Sequence, residues 1–117
     1  MRENLEKSML SIHDRQIADE LKRRIKQDLA DVELMDFRVY GSRARGDFTP
    51  DSDMDVFLEV VSISKEQRLK ISEIAWEVGF EMDRVISTFV VTIEQINNGP
   101  LAANPILSQI EHEGIRL

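Results

Sequence analysis

Leu10, Ile17, Leu21, Ile25 and Leu29 recur at steps of seven and then four residues, the period of one helical face. Ser11, with Asp14 three residues on, can cap the start, and the spacing predicts a helix over about 11–30. In MDFRVYG the apolar Met35, Phe37 and Val39 alternate with Asp36, Arg38 and Tyr40, which predicts a strand ending at Gly41. A second strand follows at about 54–61. Ser64 and Gln67 form a capping box ahead of Ile71, Ile74, Ala75, Val78 and Met82, which hold helical spacing across Gly79. RVISTFVVT, residues 84–92, is rich in β-branched positions and short for a helix, so it reads as a third strand. Thr92 and Gln95 cap a short helix that must stop at Asn97, Asn98, Gly99 and Pro100. Asn104, Pro105 and Gly114 frame a last helix through Ile106, Leu107 and Ile110. The predicted order is α-β-β-α-β-α-α.

With 117 residues the chain is expected to be a single domain spanning 1–117, with one core and no room for separate catalytic and substrate domains. Much of any pocket could then come from another molecule. Hydrophobic residues make up 42% and charged residues 32%, and no apolar run approaches the length of a membrane span, so no membrane partner is expected. The opening MRENLEKSML lacks a signal-peptide core, which points to a cytoplasmic protein. The absence of cysteine removes disulfides, thiolate zinc sites and cysteine nucleophiles. A net charge of -7 disfavours direct nucleic-acid binding, because Lys and Arg must neutralise phosphate, and makes a basic protein partner easier to accept.

The chemistry concentrates in GSRARGDFTPDSDMDVFLEV, residues 41–60. Strand alternation puts Asp53, Asp55 and Phe57 on one side and Met54, Val56, Leu58 and Val60 on the other. Two carboxylates at the mouth of a buried strand repel each other and resist desolvation unless a cation or open water sits beside them. Hard oxygen donors favour magnesium or manganese, bound by one or two carboxylates plus substrate phosphates. Calcium in an EF-hand is rejected, since the loop would need glycine where Val56 stands and glutamate where Ser62 stands. Gly41 permits close backbone approach. The amides and hydroxyl of Ser42, at the start of a short helix, can hold phosphate oxygens, and Arg43 and Arg45 add positive charge. A Gly-Ser turn opposite a D-x-D pair suits a nucleoside triphosphate with magnesium.

GSRARGDFTPDSDMD resembles the G-S-x10-D-x-D signature of the polymerase-β-type nucleotidyltransferase superfamily, specifically its minimal nucleotidyltransferase (MNT) branch. The resemblance implies an α/β (α+β) two-layer domain, a small mixed sheet with helices packed mainly on one face. Similar small proteins are antitoxins paired with HEPN-domain ribonuclease toxins, and some transfer AMP from ATP to a tyrosine of the toxin. On that resemblance Asp53 and Asp55 are catalytic and hold two metal ions about 4 Å apart, Mg2+ or Mn2+. Gly41 and Ser42 orient the β and γ phosphates of ATP, and Arg43 and Arg45 screen the leaving charge.

Active relatives carry a third carboxylate on the following strand, and alignment of VISTFVVTIEQI puts Ser87 there. Asp83 shares the strand parity but lies roughly 13 Å away at strand rise. Either the register differs, a partner supplies the acid, or catalysis is weakened or lost. Other positions have plainer readings. His13 and His112 lack ligand partners at useful spacing, and Asp47 and Asp51 read as solvated loop acids. Tyr40 reads as structural. Trp76 and Phe80, on or beside the packed side of the second long helix, read as core or partner contacts.

The expected function is an antitoxin that neutralises a HEPN toxin by transferring AMP from Mg-ATP to it. The alternatives are a noncatalytic antitoxin that acts by binding the toxin, and a nucleotidyltransferase acting on a small molecule or an RNA end.

Overall fold

The computed structural model describes residues 10–117; the opening MRENLEKSM, where no signal sequence is expected, lies outside the described residues. Helix α1 (Ile12–Asp28) begins where Ser11 accepts a hydrogen bond from the Asp14 amide, and it buries Ile17, Ala18, Leu21 and Ile25. Strand β1 (Leu34–Tyr40) runs into a single helical turn, α2 (Ser42–Arg45), and the chain returns as β2 (Met54–Val60). Helix α3 (Lys65–Met82) opens on the Ser64–Gln67 capping box with both reciprocal bonds formed, and closes with Asp83 in the left-handed region. Strand β3 (Ile86–Thr92) leads through a second complete capping box, Thr92–Gln95, into α4 (Ile93–Asn98). A 3-10 turn (Pro100–Ala103), α5 (Pro105–Glu113) capped by Asn104, and the two-residue β4 (Ile115–Arg116) complete the chain.

The four strands form one mixed sheet in the order β3-β2-β1-β4. β1 pairs antiparallel with β2 and β4, while β2 and β3 are parallel, joined by α3 as the crossover that parallel strands require. The buried alternation of β1 and β2 turns Phe37, Val39, Met54, Val56 and Leu58 toward α1 and α3, where the main core lies. The two long helices thus cover one face, as expected. The other face carries a smaller cluster in which Phe57, Val91 and Ile110 pack with α4, the 3-10 turn and α5. Phe57 meets Phe89 edge-on at 5.9 Å between ring centroids. Among the described residues no helix is long and apolar enough to cross a membrane.

Candidate functional site

The site lies at the end of the sheet where β1 stops and where β2 and β3 begin. Gly41 sits between β1 and α2 with φ 76 and ψ -157, a conformation that side chains with a Cβ essentially never adopt. A second constraint falls on the same residue: a Cβ built there would overlap the carboxylate of Asp55. The Gly-Ser turn and the D-x-D pair, ten residues apart in the chain, therefore touch in space. α2 is one turn: the amides of Ala44 and Arg45 donate to the Gly41 carbonyl and Gly46 closes it by donating to the Ser42 carbonyl, which leaves the leading amides of Ser42 and Arg43 without an intrahelical acceptor.

Asp53 is exposed and Asp55 is half-buried. Among the described residues neither carboxylate takes part in a side-chain hydrogen bond or an ion pair. Burial pushes the Asp55 carboxyl above its ordinary value, and the negative charges of Asp53 and Glu113 push the same way against the pull of Arg45. This is the electrostatic state of a site that gains from a cation. Among the described residues no group of three or more His, Cys, Asp or Glu converges closely enough to hold an ion by itself. Two carboxylates without a third fit a metal whose remaining ligands are water and substrate phosphates, the ordinary habit of magnesium.

Tyr40 pairs with Asp55 across β1 and β2. Burial raises its hydroxyl pKa, with Asp55 and Glu113 adding to the effect, so it stays protonated at neutral pH. On the other side Ser87 pairs with Asp55 in the parallel β2–β3 register, and paired residues project from the same sheet face. The Ser87 hydroxyl thus belongs to the residue beside Asp55, and Asp83 lies off the strand at the end of α3.

The two arginines of the R-A-R stretch part company. Arg45 is partly exposed and bridges Asp47 and, at 2.8 Å, Glu113. It remains close enough to Asp55 to lower that carboxyl's pKa. Arg43, expected beside the phosphates, is instead turned inward and buried. Its guanidinium donates to Asp14 at 3.1 Å and to the carbonyls of Thr49, Pro50 and Ser52, and it lies over the Phe48 ring. Arg43 therefore fastens the loop that delivers Asp53. Asp14 also receives Arg84, at 2.9 Å, from the segment before β3. The sequence reading missed this cluster, and it missed Glu113. The signal for Asp14 was there: it stands four residues after Leu10 and three before Ile17, a charge on the apolar stripe of α1.

A model of the nucleotidyltransferase domain matches residues 15–115, most of the chain and all of the site. The chain belongs to the nucleotidyltransferase domain family. This is the superfamily expected from the G-S-x10-D-x-D spacing. No curated protein matches the chain. Among solved structures, this nucleotidyltransferase-domain protein is similar to a toxin-antitoxin with AMP-PNP, at 17% identity and a TM-score of 0.53, covering 82% of this chain and 68% of the other. It is also similar to a complex of a tri-AMPylated Shewanella oneidensis HEPN toxin with its MNT antitoxin, at 13% identity and a TM-score of 0.51, over 87% of this chain and 69% of that one. A mutant of the toxin-antitoxin MntA-HpeT is a third, at 15% identity and a TM-score of 0.51, over 80% and 67%. At these identities the likeness is one of fold.

Proposed function

We propose that this nucleotidyltransferase-domain protein is an antitoxin that transfers AMP from Mg-ATP to a hydroxyl, a tyrosine by preference, of a cognate HEPN ribonuclease toxin. The observation that carries the reading is the pair of carboxylates, Asp53 and Asp55, unpartnered among the described residues, with Asp55 packed against a Gly41-Ser42 turn that a Cβ would obstruct. The fold shared with toxin-antitoxin structures supports the choice of partner.

In this reading the acceptor hydroxyl oxygen bonds to the α-phosphorus as the bond to the bridging oxygen of the β-phosphate breaks. Pyrophosphate leaves with the electron pair, and the hydroxyl proton passes to water or carboxylate. Magnesium or manganese ions, held by Asp53 and Asp55 when bound, supply charge neutralisation at the attacking and leaving oxygens. The leading amides of α2 and the Ser42 hydroxyl bind and orient the β and γ phosphates. Arg45 offsets the charge of the departing pyrophosphate. Arg43 acts one step back, as a positioning residue: by fixing the carbonyls of Thr49, Pro50 and Ser52 it sets where Asp53 stands.

Ser87 favours a second reading, an antitoxin that neutralises by complex formation alone. Intact-mass analysis of a candidate HEPN partner after incubation with the chain and Mg-ATP separates the two. The transferase reading expects AMP-sized mass steps that fall by about three orders of magnitude in rate in Asp53→Asn/Asp55→Asn. A partner that binds tightly yet gains no mass would favour the binding-only antitoxin, and Ser87→Asp would then be the variant in which transfer should appear.

A further inference from the structure

A groove of about 670 Å³ lies across the Pro50–Ser52 loop from the site, between the second half of α3 and the segment that leads into β3. Trp76 and Phe80 form its wall, stacked with ring centroids 5.6 Å apart and planes within 15°. They are nevertheless 70% and 77% exposed, and Val85 beside them is 66% exposed. The core contact of α3 is made by Ile71, Ile74, Ala75 and Val78, so folding does not require the aromatic pair. Large aromatic rings gathered on a surface are the usual anchors of a protein contact.

The rim of the groove is acidic. Asp51 and Asp83 line it, and Glu73 and Glu77 are exposed on α3 alongside. Among the described residues Asp51, Asp83 and Glu77 are in no ion pair. Arg84, the basic lining residue, is already engaged by Asp14. The groove reaches the edge of the site through the loop, where its lining residue Ser52 precedes Asp53, while Ile86 lines it from the sheet face opposite Ser87.

We propose that this groove docks the acceptor protein, taking an apolar segment flanked by Lys or Arg, with Trp76 and Phe80 as anchors and the acidic rim steering its approach. A ribonuclease grips RNA through Lys and Arg, so a basic surface is available on such a partner. Docking here would hold the acceptor against the Pro50–Ser52 loop that leads into Asp53, from which a neighbouring stretch of it passes around the end of the sheet to the carboxylates. That last step rests on the transferase reading; the docking does not.

The test measures two quantities on the full-length chain: affinity for a HEPN-domain partner by calorimetry, and AMP transfer by intact mass. Trp76→Ser and Phe80→Ser should each weaken partner binding about 30-fold or more, while ATP binding to the isolated chain is kept. Glu77→Lys should weaken partner affinity several-fold and flatten its salt dependence. Asp53→Asn/Asp55→Asn should bind the partner like the parent while its transfer rate falls by about three orders of magnitude. Aromatic variants that bind the partner with parental affinity would overturn the docking proposal whatever the transfer assay shows. Partner binding that depends on Trp76 while the parent chain transfers no AMP would uphold the groove and remove the transferase reading. If sedimentation velocity shows a dimer that the aromatic variants dissolve, with partner affinity unchanged, the groove joins two copies and the proposal falls.

Discussion

Asp14 on α1 and the Asp53–Asp55 pair at the start of β2 are linked through Arg43 and the loop it holds, and they have opposite electrostatic fates. Asp14 is fully buried, and its two oxygens are taken by Arg43 and Arg84. Asp53 and Asp55 have more water, yet among the described residues no cation pairs with them. A buried charge must be compensated within the fold, because leaving it bare costs several kcal/mol. A half-exposed one can be left for a ligand to compensate. The comparison therefore sorts acids into structural and functional by what is already bonded to them, and Arg43 falls on the structural side.

The largest effect on the fold is expected at the satisfied cluster. Asp14→Asn would leave two inward-facing guanidinium groups short of a counter-charge, and loss of about 3–5 kcal/mol of stability is expected. Urea denaturation measures it. A loss below about 1 kcal/mol would show that the backbone carbonyls around Arg43 suffice, and the contrast between the clusters would weaken. Because the same arginine holds Thr49, Pro50 and Ser52, a destabilised Asp14→Asn protein should also bind manganese less tightly without any change to its metal-facing carboxylates.

Gly41→Ala comes next and attacks the open cluster through the backbone. The new Cβ is strained at φ 76 and meets the Asp55 carboxylate, so about 1–3 kcal/mol of stability should be lost along with metal binding. Unfolding curves with and without manganese read both effects. A variant as stable as the parent, with metal affinity retained, would mean that the turn and the carboxylate are free to move apart.

Local rules made much of this legible. The caps at Ser11, Ser64, Thr92 and Asn104 were each readable from a side chain and the residues after it, and each forms. The superfamily and the mixed sheet followed from the resemblance of one motif to a family signature. Long-range geometry accounts for what was hidden. β4 is two residues long, too short for any period, and exists because Arg38 and Val39 offer it an edge. Arg43 and Arg45 look equivalent in a row of letters, but two residues on a helix are about 200° apart, so one faced the interior and the other the site. Trp76 and Phe80 lie next to the apolar stripe of α3 instead of in it, and only the finished packing of Ala75 and Val78 shows that the core is closed without them. Glu113 arrives at Asp55 from the far end of the chain, a proximity no local pattern encodes.

The smallest expected effect is a pH-dependent difference in stability at Asp55. Its folded-state pKa is raised, chiefly by burial and then by Asp53, so the ionised carboxylate is less favourable in the folded chain than in the unfolded one. Between the unfolded and folded pKa values the native state binds more protons, and stability falls as pH rises through that window. The penalty is complete at neutral pH and absent below both values. In metal-free buffer Asp55→Asn should therefore be slightly more stable than the parent at pH 7, by under about 1 kcal/mol once screening at this half-exposed position is allowed for. The gap should close as the buffer is made acidic. Added magnesium or manganese should reverse the order, stabilising the parent by mass action and leaving the variant nearly unmoved. Thermal unfolding across pH, with and without metal, distinguishes a carboxylate waiting for a cation from one held by an unnoticed contact: in the latter case Asp55→Asn would be the less stable protein at pH 7.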